Sequence, residues 1–321
     1  MASPPAPPYD AREVRFTSGG VQLVGTLLVG RDRAGARAGI VILQGSSGNL
    51  RREYQFYADH FARAGLAVLT FDKRGSGESS GDYGAATYDD LAADAAAAVD
   101  FLRRQPGVDS ARVGVWGLSQ GAFIAPMVAR RVPSLKFIVA VSPPGVIIGA
   151  SAAFQDSARV IAAGLPLDDA RRAAQLNRQI LSALQAQRPP ADVDRALASA
   201  ADLPWRRVTS LPRQLPTGAS LDGWYWRGRT VDPVPFWRAV RTPALIVFGA
   251  ADELIPAPLS ADRIGQALRD AGNRDATVRL FPAANHVLRH LPLFAGGTWD
   301  WPKAAPGYLD AVTAWIERHA R

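Results

Sequence analysis

Short apolar runs rich in β-branched residues recur along the chain, and such runs are typical of buried β-strands. They lie at 13–18, 21–29, 39–44, 66–71, 112–116, 136–142, 243–249 and 276–281. Between the later runs, apolar residues fall at three- and four-residue spacing, as at 54–65 and 88–104, which predicts amphipathic helices. The first two runs are separated only by Gly19 and Gly20, which predicts an antiparallel hairpin.

The alternation of strand and helix predicts an α/β fold: an eight-stranded, mostly parallel sheet with helices on both faces. It breaks between Ser142 and Pro243, where the first part of the interval is helical in pattern and the rest is rich in Pro and Trp. A structureless loop of that length is unusual in a compact domain. We therefore predict a mainly helical inserted lid. The predicted boundaries are a flexible, proline-rich N-terminus at 1–11, a core at 12–145 and 241–321, and the lid at 146–240.

Composition excludes several functional classes. The net charge is +8, but no run of Lys and Arg exceeds two residues, so we expect no nucleic-acid partner. No apolar run approaches the roughly 18 residues of a membrane span. The chain has no cysteine, which excludes a thiolate nucleophile, a disulfide and a cysteine-ligated metal. The first residues do not form a secretory signal as written, and the sequence leaves cellular location and oligomeric state open.

The segment at 112–131 reads as a buried strand, then Gly-x-Ser-x-Gly, then an apolar helix. In this context Ser119 is the predicted nucleophile, because a serine on a tight strand-to-helix turn needs glycines two positions before and after it. Gly117 and Gly121 occupy those positions. The motif could also arise by chance in a chain with 29 glycines. The other Gly/Ser loops, at 45–48 and 75–77, lack the flanking strand and helix.

A serine nucleophile needs a base, and the chain offers four histidines. We predict that His286 is the base, because it follows the last strand at the sheet edge where open α/β sheets build their sites. His60 and His319 fall within helical patterns and are interpreted as packing or surface residues. His290 could pair with His286 on a metal, but no carboxylate or thiol stands at zinc-ligand spacing, so we predict no metal site.

The acid that orients the base is predicted to be Asp252, which follows the strand at 243–249 and gives the chain order serine, acid, histidine. The adjacent Glu253 is the alternative. The predicted oxyanion hole consists of two backbone N–H groups, those of Gln120 and Ser46, with Ser47 as the second choice for the latter.

Taken together, these motifs resemble the α/β-hydrolase superfamily, and in particular its bacterial serine esterases. The segments that carry the resemblance are FDKRGSGESSG at 71–81, QGSSGN at 44–49, GLSQG at 117–121, Asp232–Pro233, GAAD at 249–252 and NH at 285–286. Gln44 stands where relatives usually have histidine, so the side-chain hydrogen bonds of that loop are open. In the family, Asp72 and Arg74 look structural rather than catalytic.

The resemblance and the predicted triad imply hydrolysis of a small-molecule carboxylic ester, with a short to medium acyl chain or an aromatic group, through an acyl-enzyme on Ser119 and without a cofactor. The second half of the lid could line an acyl or aromatic pocket through Trp205, Trp224, Trp226 and Trp237. Equally, these aromatic residues could dock the lid on the core.

Other substrates remain open, because the same triad hydrolyses thioesters and amides and serves acyltransferases. An aminopeptidase would need an acidic anchor for the substrate ammonium, and the sequence does not locate one. A non-catalytic ligand receptor is the most distant alternative, and a complete triad argues against it.

Overall fold

The structure is a computed structural model that describes residues 6–31, 35–46, 50–186, 191–216, 224–289, 294–295, 298–299 and 304–321. Its strands are β1 Tyr9–Ser18, β2 Val21–Gly30, β3 Arg37–Leu43, β4 Ala67–Phe71, β5 Val108–Leu118, β6 Ile138–Val141, β7 Ala244–Gly249, β8 Ala276–Phe281, β9 Phe294–Ala295 and β10 Thr298–Trp299. Its helices are α1 Gln55–Arg63, α2 Tyr88–Arg103, α3 Gln120–Arg131, α4 Ile148–Ala162, α5 Leu167–Gln185, α6 Ala191–Ala200, α7 Trp224–Arg227, α8 Val234–Trp237, α9 Ala257–Asp270 and α10 Tyr308–His319. Short 3₁₀ turns cover Arg51–Tyr54, Pro204–Val208 and Gly228–Thr230.

Eight of the described strands form one sheet in the order β1-β2-β4-β3-β5-β6-β7-β8. β1 pairs antiparallel with β2, and β2 with β4, while the remaining neighbours from β4 to β8 are parallel. This confirms the predicted fold class, its eight strands and the hairpin. β1 begins at Tyr9, opposite Gly30, so the end of the segment predicted to be flexible belongs to the sheet.

Both faces of the sheet are covered, because the side chains of a strand point alternately to opposite sides. In β3, Val41 and Leu43 join an apolar cluster with residues of α2, α3 and α9. Ile40 and Ile42 join a second cluster, with residues of α1 and α10. The parallel strands are therefore buried on both sides, which explains their continuous apolar sequences. No helix in the described ranges is both long and apolar enough to cross a membrane.

The interval between β6 and β7 carries helices α4 to α8 and has an apolar cluster of its own. That cluster includes Val160 of α4, Ile180 of α5, Leu197 of α6 and the buried Trp205. The last of these helices, α8, instead packs its Val234 and Trp237 into the main core. By packing, the inserted unit thus ends before α8, earlier than the predicted boundary at 240.

The turn from β5 into α3 is sterically tight. Ser119, which lies between them, has φ 54° and ψ −109°, a conformation that side chains rarely adopt. A Cβ on Gly117 would lie 2.4 Å from the carbonyl carbon of Gly121, and a Cβ on Gly121 would lie 2.1 Å from the carbonyl oxygen of Leu43. Both glycines are therefore required by backbone contacts, as the motif predicts.

A buried lysine joins the loops that follow β3, β4 and β5. Lys73 donates from Nζ to the carbonyl oxygen of Gly45 at 2.7 Å and to Oε1 of Gln120 at 2.6 Å. Burial lowers the pKa of Lys73 to about 7, and Glu53 opposes that shift. Because both hydrogen-bond acceptors are uncharged, the lysine is desolvated without an ion pair to offset the cost of its charge.

The neighbours of Lys73 in the chain form ion pairs. Asp72 accepts hydrogen bonds from the backbone and guanidinium of Arg51, at 2.7 and 2.9 Å. Arg74 binds both carboxylate oxygens of Asp94 at 2.7 Å. These contacts hold the loop after β4 against the first turn before α1 and against α2.

We expect Gly121→Ala to lower the free energy of unfolding by about 3 kcal/mol or to prevent folding, because the added methyl group meets backbone atoms that cannot move aside. The matched control is Gly265→Ala in α9, where a Cβ would approach only side-chain atoms, of Arg269 at 3.4 Å and of Val278 at 3.6 Å. This control should raise stability by up to about 1 kcal/mol through helix propensity. Urea unfolding measures both, and equal effects would contradict the steric argument.

We expect the stability of the wild type relative to Lys73→Met to rise with pH. Between pH 7 and 10.5 the unfolded chain binds a proton at this lysine that the folded chain does not, so the unfolded state is progressively disfavoured as the pH increases. The difference in unfolding free energy should grow by about 1–2 kcal/mol between pH 7 and 9. Urea unfolding at several pH values measures it, and a difference independent of pH would show that Lys73 is not desolvated.

Candidate active site

The three predicted triad residues follow β5, β7 and β8, at the carboxyl edge of the parallel strands. His286 Nδ1 lies 2.7 Å from Oδ2 of Asp252, and both side chains are almost completely buried. The other oxygen of Asp252 accepts hydrogen bonds from the backbone N–H groups of Leu254 and Ile255. This carboxylate is fixed from both sides, so it can hold the imidazole in one orientation.

The structure separates Asp252 from its neighbour, the alternative acid. Glu253 accepts a hydrogen bond through Oε2 from the backbone N–H of His286 at 3.3 Å and does not reach the imidazole ring. Of the two carboxylates, Asp252 is the one in position to orient the ring.

Ser142 supports the loop of His286 and was not predicted from the sequence. Its hydroxyl donates to the carbonyl oxygen of His286 at 2.8 Å, and the residue is fully buried with φ 49°. The only signal available in the sequence was its position at the end of β6.

Ser119 and His286 line the same cavity, whose volume is about 310 Å³. His286 Nε2 is buried and has no hydrogen-bond partner among the described residues, so the serine hydroxyl is not bonded to it in this structure. Such contacts are often long without substrate and shorten when substrate binds. Ser119 and His286, the predicted nucleophile and base, therefore lie at the wall of one cavity.

Ser46 and Gln120, the predicted oxyanion donors, also line this cavity. Gln120 is the first residue of α3, where a backbone N–H has no partner within the helix. Next to Ser46, the N–H of Gly45 donates to the hydroxyl of Tyr54 at 2.7 Å, and this hydrogen bond anchors the loop after β3. Ser47 lies outside the described residues.

Side chains around the two donors are fixed by hydrogen bonds. Gln120 Oε1 accepts from Lys73 and, at 2.9 Å, from the hydroxyl of Tyr83. Gln44 donates from Nε2 to the carbonyl oxygen of Phe71 at 2.6 Å. Lys73 lies in the motif at 71–81 but was given no role from the sequence, and a lysine two residues after a buried strand was the signal that could have identified it.

The predicted aromatic pocket requires correction. Trp205 is buried in the core of the inserted unit and Trp237 in the main core, so neither lines the cavity. Trp226 packs against the inserted unit's cluster and is also absent from the lining. The side chain of Trp224 lies outside the part of the chain that the structure describes. Instead Tyr225 lines the cavity, a neighbour that satisfies the same local pattern.

The cavity has a lining that the sequence did not predict. It includes Tyr88 and Phe123 from the core and two arginines of the inserted interval, Arg159 and Arg229. With 37 basic residues spread along the chain, sequence alone carried no signal for these two. The described residues contain no cluster of three or more His, Cys, Asp or Glu able to hold a metal, and His290 lies outside them.

Several known proteins are similar to this chain. A thiohydrolase of Aspergillus aculeatus, aneE, is 32% identical over 133 residues, which cover 41% of each chain. The chain spans less than half the length of the curated relatives it matches, from 23% to 43%.

Solved structures are similar over most of their length. The esterase PF2001 of Pyrococcus furiosus superposes with a TM-score of 0.63 at 17% identity, covering 98% of this chain and 92% of that one. The α/β hydrolase GrgF of a Penicillium species superposes with a TM-score of 0.65 at 16% identity, covering 97% and 99%. These likenesses show the α/β-hydrolase fold.

A family model described as X-Pro dipeptidyl-peptidase (S15 family) matches residues 17–273. The match includes the loops of Ser119 and Asp252 and ends before that of His286. Because it covers most of the chain, this protein, which has the α/β-hydrolase fold, belongs to the X-Pro dipeptidyl-peptidase (S15) family.

Proposed function

We propose that this hydrolase cleaves carboxylic esters through an acyl-enzyme on Ser119, with His286 as base, Asp252 as orienting acid and the N–H groups of Ser46 and Gln120 as oxyanion hole. The observation that carries the proposal is the buried hydrogen bond of 2.7 Å between Asp252 and His286, at a cavity that both His286 and Ser119 line. This is the arrangement that a serine nucleophile requires.

In the acylation step, the Ser119 hydroxyl attacks the ester carbonyl while His286 Nε2 takes its proton. The carbonyl oxygen becomes an oxyanion that accepts hydrogen bonds from the two backbone N–H groups. When the tetrahedral intermediate collapses, the bond to the alkoxy group breaks and His286 returns the proton to it, which releases the alcohol. Asp252 remains ionised and stabilises the imidazolium.

In the deacylation step, His286 removes a proton from a water molecule, which attacks the acyl-enzyme. The second tetrahedral intermediate releases the acid and returns the proton to Ser119. All of these steps use side chains and backbone groups of this chain, and none of them calls for a cofactor.

The inserted unit is proposed to act as a lid that shapes the substrate pocket. Its helix α4 contributes Ser151, Ala152 and Gln155 to the cavity, and Tyr225 and Arg229 come from the segment that follows α6. Substrate choice would then be set by this unit rather than by the triad, which serves many substrates.

Peptide cleavage is the alternative that the family description favours. A dipeptidyl-peptidase must hold the free ammonium of its substrate, and a carboxylate is the group suited to do so. Among the described residues that line the cavity there is no aspartate or glutamate. The lining therefore favours an ester over a peptide with a free N-terminus.

Thioester hydrolysis is the second candidate, because the partly matching relative from Aspergillus aculeatus is named a thiohydrolase. A thioester would use the same steps, with a thiol as the leaving group. Transfer of the acyl group to an alcohol would need the same triad and a pocket that excludes water. A non-catalytic receptor would have no use for the Asp252–His286 pair.

We expect Ser119→Ala to abolish turnover of p-nitrophenyl butyrate and Asp252→Asn to lower kcat about 10³- to 10⁴-fold, because the imidazole would lose its orienting charge. The matched control is Glu253→Gln, which alters the adjacent carboxylate and should lower kcat less than about tenfold. If Glu253→Gln lost as much activity as Asp252→Asn, the assignment of the acid would be wrong.

We expect the wild type to hydrolyse p-nitrophenyl butyrate with a kcat/KM at least about 10³-fold above that for glycyl-proline p-nitroanilide, because the cavity lacks an anchor for the ammonium. Both reactions release a coloured product and can be followed in the same spectrophotometric assay. The neutral thioester S-(4-nitrophenyl) thiobutyrate, which also releases a coloured product, measured alongside them tests the thioester. A higher value for the dipeptide anilide would replace the ester proposal with peptidase activity, and a higher value for the thioester would replace it with thioesterase activity.

A further inference from the structure

Arg229 is an incompletely partnered charge at the wall of the cavity. It lies in the 3₁₀ turn Gly228–Thr230 and is only 5% exposed. Its Nη2 donates to Oδ1 of Asn177 at 3.1 Å, whereas Nη1 is buried and has no hydrogen-bond partner within the described ranges. The same residue lines the cavity together with Ser119 and His286.

The nearest buried carboxylate is already occupied. Asp156 is fully buried, and one of its oxygens accepts from the backbone N–H and hydroxyl of Ser210, at 2.8 and 2.9 Å. Its other oxygen accepts from Asn177, so Arg229 reaches Asp156 only through that amide. Arg159, which also lines the cavity, is 3.5 Å from Asp156.

Asp156 therefore forms an ion pair with Arg159 and is linked to Arg229 only through Asn177, so the cavity wall carries an excess of positive charge. Burial lowers the pKa of Arg229, and Tyr225 and Asp156 oppose that shift. An arginine nevertheless stays protonated in proteins. Burying a charge without a full set of hydrogen-bond partners costs free energy. An anion that enters the cavity would supply the partners that the guanidinium lacks.

The guanidinium is also held in place. It lies over the rings of Tyr225 and Trp226, with 5.5 and 5.1 Å to the ring centroids. Its turn packs closely on the core, since a Cβ on Gly228 would lie 2.6 Å from the ring of Tyr88. A second buried polar atom of the cavity lining, Ser151 Oγ, likewise has no hydrogen-bond partner among the residues described.

We propose that Arg229, with Arg159 beside it, binds a carboxylate of the substrate, so that the preferred substrate is an ester that also carries a free carboxylate. This inference rests on the proposed esterase function and names its substrate class. A planar guanidinium matches a carboxylate in shape and can donate two parallel hydrogen bonds to it. A substrate ammonium would be repelled by the same groups.

The test uses two pairs of esters that differ only in this charge. Mono-p-nitrophenyl adipate and its methyl ester place the carboxylate on the acyl side, whereas p-acetoxybenzoate and its methyl ester place it on the leaving group. Values of kcat/KM are divided by the alkaline hydrolysis rate of each ester. In one pair, the wild type should prefer the anionic ester by about tenfold or more. The pair that shows the preference identifies which part of the substrate faces Arg229.

In Arg229→Met the preference ratio should fall to about one, because the apolar side chain retains the bulk and loses the charge. The matched control is Arg206→Met, another buried arginine of the inserted unit, whose guanidinium donates to the carbonyl oxygens of Leu211 and Pro212 and is absent from the cavity lining. Its ratio should stay at the wild-type value. If Arg229→Met does not fold, Arg229→Lys replaces it and should lower the ratio severalfold, since lysine cannot bind both oxygens.

Equal values within both pairs for the wild type, or a preference that survives in the Arg229 variant, would overturn the carboxylate site while leaving the esterase intact. No hydrolysis of any of the four esters, together with no labelling of Ser119 by a fluorophosphonate, would overturn the esterase. In that event the carboxylate site is tested without turnover, by measuring the binding of adipate to the wild type and to the Arg229 variant by calorimetry. Binding about tenfold or more weaker to the Arg229 variant than to the wild type is expected, and no difference would refute it.

Discussion

The tight turn between β5 and α3 is the constraint on which the rest of the site depends. It brings the backbone of Gly121 against the carbonyl of Leu43, so that β3, β5 and α3 meet without intervening side chains. This close approach requires a strained backbone conformation at Ser119, which costs about 1–3 kcal/mol. Two backbone hydrogen bonds of 2.8 Å hold Ser119 in this conformation. Its N–H donates to the carbonyl oxygen of Val141, and its carbonyl oxygen accepts from the N–H of Phe123. The surrounding sheet thus presents the serine hydroxyl at a fixed place on the cavity wall.

Buried charges around this turn are stabilised to different degrees, and the differences follow their proposed roles. Asp252 accepts three hydrogen bonds, one from the imidazole and two from backbone N–H groups. Lys73 donates to two uncharged oxygens and holds neighbouring loops together. Arg229 keeps one nitrogen unpaired at the cavity. Both oxygens of the Asp252 carboxylate are thus hydrogen-bonded, whereas the cation at the cavity retains capacity for a ligand.

Membership of the S15 family concerns the scaffold of this chain, whereas the lining of its cavity concerns the choice of substrate. The family match and the structural likenesses describe the scaffold, an α/β-hydrolase fold whose parallel strands end at one edge of the sheet. The residues that would choose a substrate come largely from the interval between β6 and β7, including α4 and the turn of Arg229. Function follows from such a site rather than from the fold that carries it.

The sequence by itself determined the strands and the tight turn before α3, and it predicted the order serine, acid, histidine, because these depend on local period, glycine sterics and position after a strand. Only the tertiary structure decided which side chains face the cavity. Trp237 and Tyr225 satisfy the same aromatic pattern, yet one fills the main core and the other lines the cavity. The sequence favoured Asp252 over its neighbour Glu253, but only the placed loop shows which of the two carboxylates contacts the imidazole. Arg229 carried no local signal, since its environment is built by α4, α5 and α7, segments whose packing no local pattern encodes.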